Sequence, residues 1–122
     1  MTCKDVIARI DDLMPNSFST MQKLRWIYTL DLLMEREIFS THERGVLPEL
    51  EKPYGLKEER ELPLEEAYCD LYTDYLMAMM DMYNSDYGRY TNDMIRFNSR
   101  YAAYMDHYNR THLPLEKGKI RL

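Results

Sequence analysis

Two acidic side chains, Asp31 and Glu35, carry the first chemical signal, because they stand one helical turn apart in an almost wholly apolar stretch. Neighbouring carboxyl groups can divide the roles of general acid and general base, which is the catalytic interpretation. A carboxylate in apolar surroundings is also costly unless a cation pairs with it, which is the structural interpretation. No base, nucleophile or set of metal ligands accompanies the pair. We therefore expect Asp31 to be a buried acid in a salt bridge with a neighbouring arginine.

The other reactive side chains do not form a recognisable catalytic or metal-binding pattern. The histidines and cysteines lack metal-ligand spacing: His42, His107, His112, Cys3 and Cys69. The four glycines are too scattered for a loop that cradles phosphate. We expect two buried free thiols, no catalytic residues, no metal and no cofactor.

The spacing of apolar residues predicts four helices, over residues 2–14, 20–40, 64–84 and 86–109. Thr2 and Ser19 each precede an acid or amide by three residues, the pattern of a capping box at a helix start. The second helix is apolar around nearly its whole circumference. Such a helix is either central in the fold or part of a subunit interface.

The third and fourth helices carry apolar seams with the 3.5-residue period of coiled-coil packing. The seams are Leu64, Tyr68, Leu71, Tyr75, Ala78 and Met82, then Tyr87, Tyr90, Met94, Phe97, Tyr101, Tyr104 and Tyr108. The short turn Asn84–Asp86 forces the two helices into a long antiparallel αα-hairpin, with Asn84 expected in the left-handed conformation.

Residues 41–63 form a connector that holds two glycines, three prolines and many charges. A binding loop and a plain disordered loop are equally compatible with this composition, and residues 54–62 could hold a short strand or β-hairpin. The predicted fold class is all-α, a small bundle of about four helices. Residues 1–112 form one domain in this interpretation, and residues 113–122 form a basic C-terminal tail.

Charge is unevenly distributed, with six acidic and no basic residues over 65–87 and seven basic against three acidic residues over 88–122. This pattern predicts charge-complementary packing, either within a subunit or between subunits. The eleven tyrosines and ten methionines exceed what one facing helix can cover. The predicted subunit interface consists of Asp70, Asp74, Asp81, Tyr87, Tyr90, Arg96, Arg100 and Tyr101. A solvated acidic face and a purely intramolecular core are the alternatives.

Composition sets further bounds on the function. The 122 residues suffice for one domain, and the net charge of -5 is unlike the basic profile of a general nucleic-acid-binding protein. The apolar runs are too short to span a membrane, and the N-terminal residues lack the apolar region of a secretory signal. The expected compartment is the cytoplasm.

Several segments together resemble a known family. They are Lys23-Leu24-Arg25-Trp26, Leu30-Asp31, Leu71-Tyr72, Tyr75-Leu76, Asp81, Tyr90, Met94, Phe97-Asn98, Tyr101 and Tyr108-Asn109-Arg110-Thr111-His112. The sequence is similar to small head–tail connector proteins (adaptor or head-completion proteins) of long-tailed bacteriophages and of prophages. The family pattern differs in having polar residues near Met77 and Met79, a glycine near Ser85 and a tryptophan near His107. The resemblance covers most of the chain outside residues 43–62.

The resemblance implies a structural, non-enzymatic subunit that joins a ring of about a dozen copies under the phage portal. Such a ring extends the DNA channel, with DNA only as passing cargo, and docks the next neck or tail component. The location would be the virion neck, after assembly in the host cytoplasm. Lys117, Lys119 and Arg121 of the tail are then candidates to contact the portal protein. The alternative is a prophage-encoded helical module that binds a protein partner without assembling a ring.

Overall fold

Four α-helices make up the core of the fold. The structure is a computed structural model and describes residues 1–42 and 57–112. The helices are α1 (Cys3–Leu13), α2 (Thr20–Glu37), α3 (Asp70–Tyr83) and α4 (Tyr87–Thr111), with 3₁₀ turns at Phe39–Thr41 and Glu66–Tyr68. The described ranges consist of helices, turns and irregular segments, with isolated bridge positions such as the antiparallel pair Thr2 and Glu61. The predicted all-α class is confirmed.

Both predicted helix starts are confirmed. The Thr2 hydroxyl accepts a hydrogen bond from the Asp5 N–H, and the Asp5 carboxylate accepts one from the Thr2 N–H, which completes the capping box of α1. At the start of α2 the Ser19 hydroxyl accepts a hydrogen bond from the Gln22 N–H. These local bonds satisfy N–H groups that have no partner inside their own helix.

The end of the connector completes the first turn of α1. The N–H groups of Cys3 and Lys4 donate to the carbonyls of Arg60 and Glu58 at 3.0 and 2.8 Å. The β-hairpin predicted over 54–62 lies partly outside the described residues. Within 57–62, the Arg60 N–H closes a turn on the Lys57 carbonyl, and Glu61 forms the isolated bridge with Thr2.

The third helix begins at Asp70, so the prediction that it starts at Leu64 is wrong. Leu62 and Leu64 are both buried, and a spacing of two is typical of extended backbone. Glu65 is also extended, with φ -61° and ψ 150°. The core here includes two apolar side chains from the non-helical segment before α3, although the periodic pattern had assigned Leu64 to the helix.

The turn between α3 and α4 uses Ser85, and not Asn84, as its left-handed residue, with φ 61°. The N–H of Asp86 donates to the Asp81 carbonyl, and the N–H of Ser85 donates to the Met82 carbonyl. This pair of bonds is a Schellman motif, whose left-handed position is the residue after the helix cap. Asn84 is the cap itself, so the prediction was off by one residue.

The central helix is α3, which packs against α1, α2 and α4. Its buried residues point in several directions and are Leu71, Tyr72, Thr73, Asp74, Leu76, Ala78, Met80 and Asp81. The helix α2, predicted to be either central or part of a subunit interface, packs against α1 and α3 and keeps Leu32 exposed. The central position therefore belongs to the helix with fewer residues and more buried polar groups.

The antiparallel α3–α4 hairpin is confirmed, but its seams are buried only in part. Phe97, Tyr104 and Tyr108 of α4 are buried as predicted. Tyr87 and Met82, which the pattern placed in the seams, are exposed beside the turn. The reason is that both residues lie at helix ends, beyond the reach of the facing helix.

Ring contacts put the α1–α2 loop and the α3–α4 turn at the same end of the bundle. Phe18 packs on Trp26 with ring centroids 5.3 Å apart, and Trp26 packs on Tyr83 at 5.6 Å. We call this end the turn end. At the opposite end the rings of His42 and Tyr108 lie 4.9 Å apart.

Candidate functional site

The carboxylate of Asp31 is fully buried and held by two donors. The Tyr72 hydroxyl donates to Oδ1 at 2.6 Å, and the Arg60 guanidinium donates to Oδ2. The predicted salt bridge with an arginine is confirmed, and its cation comes from the last residues of the connector. Tyr72 was missed as a partner, since nothing in its position along the helix distinguishes a core tyrosine from a hydrogen-bonded one.

The local electrostatics keep this cluster charged at Arg60 and neutral at Tyr72. Burial, reinforced by the charge of Asp31, raises the pKa of the Tyr72 phenol well above its usual range. Burial alone would lower the pKa of Arg60, but Asp31 outweighs that effect and the pKa is raised. Tyr72 and Arg60 therefore act as permanent donors, which is a structural arrangement.

The two cysteines are free and buried, as predicted. Burial raises the pKa of the Cys3 thiol to about 11, although the neighbouring Arg60 guanidinium acts in the opposite direction. Cys69 donates weakly to the Leu64 and Glu65 carbonyls at 3.6 and 3.5 Å, and burial raises its pKa as well. Neither thiol has the lowered pKa that nucleophilic cysteines need.

The acidic residues of α3 pair with arginines of α4 inside the chain. Asp74 is buried, and Arg96 donates to its Oδ1 at 3.0 Å while Arg100 lies 2.9 Å from its Oδ2. Arg96 also donates to Oδ1 of Asp93 at 3.0 Å. Asp70 is exposed; Arg9 of α1 donates to its Oδ1 at 2.9 Å, and Arg100 lies 3.7 Å from its Oδ2. Charge-complementary packing, predicted either within or between subunits, thus occurs within the subunit.

Two further carboxyl groups meet near the turn. Asp81 of α3 and Asp93 of α4 are 4% and 6% exposed, and their side chains lie within hydrogen-bonding distance of each other. Burial comes first among the causes that raise the pKa of Asp81 to about 6, followed by the hydrogen bond and the charge of Asp93. Asp86 adds to the rise, and Arg89 opposes it.

The eight predicted interface residues fall into different environments. Tyr87 is 64% exposed, Tyr90 and Tyr101 are half-buried, and the Tyr101 hydroxyl donates to Oε1 of Glu37 at 2.7 Å. Asp70 and the two arginines, Arg96 and Arg100, are at least partly exposed at their side chains. Asp74 and Asp81 are buried inside the chain. Their common membership of a subunit interface stays a prediction.

The predicted portal contacts, Lys117, Lys119 and Arg121, lie outside the described residues. So do residues 43–56 of the connector.

The turn end exposes large apolar side chains that the sequence had not indicated as a group. Of the seven large hydrophobic residues that are exposed within 1–42 and 57–112, five flank its two connections: Leu13, Met21, Met82, Tyr83 and Tyr87. Their spread over all four helices hides them from any single periodic pattern. The available signal was their position next to the predicted turns. Such a surface is suited to bury apolar area against another protein.

A shallow cleft of about 270 Å³ lies between the start of α3 and the middle of α4. Its lining is Ala67, Tyr68, Asp70, Leu71, Arg100 and Ala103. The charged groups at its edge are the same Asp70 and Arg100 that pair with each other. No group of three or more metal-ligating side chains occurs within residues 1–42 and 57–112.

The described part of the chain has no helix that is long and apolar enough to cross a membrane. No protein-family model, no curated protein and no solved structure matches this chain. The structure itself defines the class, a small all-α bundle whose buried acids are held by its own arginines and whose turn end is apolar and exposed.

Proposed function

We propose that the chain is a structural subunit of a bacteriophage head–tail connector. In this proposal copies of the subunit assemble into a ring under the portal, extend the DNA channel and dock the next neck or tail component. The subunit is not an enzyme and uses no cofactor. The observation that carries the proposal is the exposed apolar surface at the turn end.

An exposed apolar surface favours association, because water is released when two such surfaces meet. Tyr83 and Tyr87 are each 64% exposed, and tyrosine is enriched at protein interfaces because its ring is apolar and its hydroxyl is polar. A closed ring needs two different faces of each subunit to meet head to tail. The turn end supplies one face, and we assign the other to a different side of the bundle.

The internal ion pairs narrow the choice of the second face. Asp74 is already used by Arg96 and Arg100, so it is not available for a partner. Asp70 pairs with Arg9 and Arg100 pairs with Asp74, each at 2.9 Å, but unlike Asp74 both keep about half of their side chains exposed, at 53% and 46%. They rim the cleft between α3 and α4, which makes that side the best candidate for the second face.

The residues that carry the family resemblance support the proposal through the fold. Trp26, Asp31, Tyr72 and Tyr108 are all buried, and Asp31 and Tyr72 bond to each other. A resemblance concentrated in such residues is what a shared architecture produces, because core positions tolerate fewer changes than surfaces do. The fold that these residues hold is a four-helix bundle, which suits a building block.

The proposed orientation of the subunit in the ring is based on the position of its C-terminal segment. Described residues stop at His112, whose ring stacks on Tyr108 at 3.7 Å, away from the turn end. The basic tail begins there, and in the proposal its residues Lys117, Lys119 and Arg121 contact the portal. DNA passes through the ring as cargo, and the assembled protein resides in the virion neck.

The proposal is tested by the molar mass in solution, measured by light scattering over a concentration series with negative-stain images of the same sample. The experiment is done with the chain alone and with the chain co-expressed with a phage portal protein. We expect rings of about a dozen subunits, at least in the presence of the portal. A chain that stays monomeric with the portal present would contradict the proposal and favour a helical module that binds one partner.

A matched pair of variants tests the assignment of the turn end. Tyr87→Glu places a charge on the proposed contact face, and Asn98→Glu places the same charge on another exposed position of α4. We expect Tyr87→Glu to abolish ring formation while the circular dichroism of the monomer is unchanged, and Asn98→Glu to leave assembly intact. Equal assembly of both variants would exclude the turn end as a ring contact.

A further inference from the structure

Asp81 and Asp93 face each other across the α3–α4 interface, and ionisation of both carboxyl groups there is unfavourable. Both side chains are almost fully buried, and they lie within hydrogen-bonding distance. Two ionised carboxylates at this distance repel each other strongly where water is excluded. A single proton placed between them turns the repulsion into a short, charge-assisted hydrogen bond.

The remaining neighbours show which group accepts that proton. Asp93 already receives a hydrogen bond on Oδ1 from Arg96, which favours its charged form. Its Oδ2 is buried, and no donor in the described part of the chain reaches it. This oxygen is therefore free to accept a hydrogen bond from a neutral Asp81.

We propose that Asp81 and Asp93 form a carboxyl–carboxylate pair that holds α3 to α4 near the turn and releases its hold when the shared proton leaves. The pair is a pH-sensitive clasp built into the hairpin. The proposal does not depend on the function proposed above.

The charged groups around the pair determine the pH range in which it acts. Asp86 at the turn raises the pKa of Asp81, Arg89 of α4 lowers it, and Arg96 donates to Oδ1 of Asp93. Arg96 also donates to Asp74 of α3, so its positive charge is shared between Asp74 and Asp93. The balance places the pKa of Asp81 at about 6, compared with 3.8 for an ordinary aspartic acid.

The sign of the pH dependence follows from this raised pKa. Between the two values the folded chain binds more protons than the unfolded chain, so folding becomes less favourable as pH rises. The clasp is thus fully closed below the ordinary value and is lost as pH rises through about 6. Loosening at this place affects Tyr83, which lies two residues after Asp81 and packs on Trp26.

The chain contains a single tryptophan, so Trp26 reports on this end of the bundle without added labels. The experiment follows its fluorescence, and the carboxyl carbon signals of the aspartates by NMR, from about pH 4.5 to 8. The unchanged chain is compared with Asp81→Asn and with Asp106→Asn, which removes a carboxyl group from an exposed position on α4.

We expect one carboxyl carbon of the pair to titrate near pH 6, which is proton binding about 100-fold tighter than that of an ordinary aspartic acid. We also expect a fluorescence transition in the same range that Asp106→Asn retains and Asp81→Asn abolishes. Persistence of the transition in Asp81→Asn would assign it to the histidines and overturn the proposal. If that variant does not fold, the NMR titration decides alone, and completion of both carboxyl titrations below about pH 4.5 excludes the clasp.

Discussion

At the scale of single residues, the stability of the fold depends most on how the chain accommodates Asp31. The carboxylate is fully buried, and its partners come from the connector and from α3. Removing one partner of such a pair leaves a charge in a medium that solvates it poorly. The two donors are unequal, because Arg60 supplies a full charge and Tyr72 supplies a dipole.

Substitution of the two donors should separate these contributions. We expect Arg60→Met to lower the free energy of unfolding by about 3 kcal/mol. We expect Tyr72→Phe, which removes only one hydroxyl, to lower it by about 2 kcal/mol. Urea unfolding at neutral pH measures both values.

Arg36→Met serves as the control, because Arg36 is exposed on the same helix as Asp31. Its effect should stay below about 0.5 kcal/mol. If Arg60→Met costs no more than Arg36→Met, the buried ion pair is not what stabilises this part of the core.

The sequence predicted half of this arrangement. An acid inside an apolar helical pattern indicated a buried salt bridge, which was correct for Asp31. The identity of the cation was not predictable, because Arg60 lies in a charged segment with several other candidates. Which of them turns inward depends on the backbone bonds of residues 58–60 to α1, and local spacing carries no information about such distant pairing.

At the scale of elements, the α3–α4 hairpin contains both a buried and an exposed ion pair. Arg96 reaches the buried Asp74 and Asp93, while Arg89 pairs with Asp86 at 3.5 Å with 72% of its side chain exposed. Exposed pairs contribute little, because water screens them and ordering two long side chains costs entropy. Buried pairs matter more once formed, because their loss leaves unpaired charges.

The two arginines therefore form a matched comparison on one helix. We expect Arg96→Ala to lower the free energy of unfolding by about 2–3 kcal/mol and Arg89→Ala by less than about 0.5 kcal/mol. Thermal and urea unfolding at one pH value measure both. Equal losses would mean that helix propensity and packing, and not the buried charges, determine the result.

The turn offers a substitution that should stabilise the hairpin. Ser85 has φ 61°, a conformation in which a side chain clashes with the backbone and glycine does not. We expect Ser85→Gly to raise the free energy of unfolding by about 0.5–1 kcal/mol, since relief of strain exceeds the added freedom of the unfolded chain. Asn84→Gly is the control and should destabilise, because Asn84 has φ -86°.

Helix limits were predictable where a local signal exists and not elsewhere. Thr2, Ser19 and Asp86 are caps whose hydrogen bonds form within three residues, and α1, α2 and α4 begin beside them. The start of α3 lacks a side-chain cap, and tertiary burial of Leu64 holds the preceding backbone extended. The positive φ of Ser85 favours glycine at this position, and no periodic pattern in the sequence indicates it.

At the scale of the whole molecule, one hydrophobic core joins the described residues, and both cysteines belong to it. Cys3 lies at the start of α1 beside Arg60, and Cys69 lies just before α3. A reagent reaches either thiol only when the surrounding structure opens. Thiol reactivity therefore measures opening of the fold at two separate places.

We expect neither thiol to react with Ellman's reagent in the folded chain at about pH 8 on a scale of minutes, and both to react at once in urea. The pKa of about 11 at Cys3 adds to the protection by lowering the thiolate fraction. In Arg60→Met, Cys3 should react faster than Cys69, because loss of the ion pair with Asp31 makes the segment bonded to the start of α1 open more often, and this outweighs the higher pKa of the thiol. Fast reaction of both thiols in the unchanged folded chain would show that the core opens far more readily than its burial indicates.

The global arrangement was the least predictable level. Periodicity indicates which face of a helix is apolar but not how many neighbours cover it, so the apolar circumference of α2 was compatible with a central helix and with a subunit interface, and nothing indicated that α3 is central. The turn end escaped prediction for the same reason, because its side chains are contributed by residues far apart in sequence. Their proximity follows from the contact of Trp26 with Tyr83, which depends on the complete packing.

During translation, residues 57–62 are synthesised long after α1, although they complete the first turn of that helix. Before these residues are synthesised, the N–H groups of Cys3 and Lys4 cannot donate to the carbonyls of Arg60 and Glu58. The buried Asp31 carboxylate also lacks the Arg60 guanidinium that pairs with it. The nascent α1–α2 pair therefore cannot finish its own core during synthesis. Folding of this chain therefore requires that residues 57–62 have been synthesised. A fragment that stops before residue 57 should stay incompletely folded and bind chaperones.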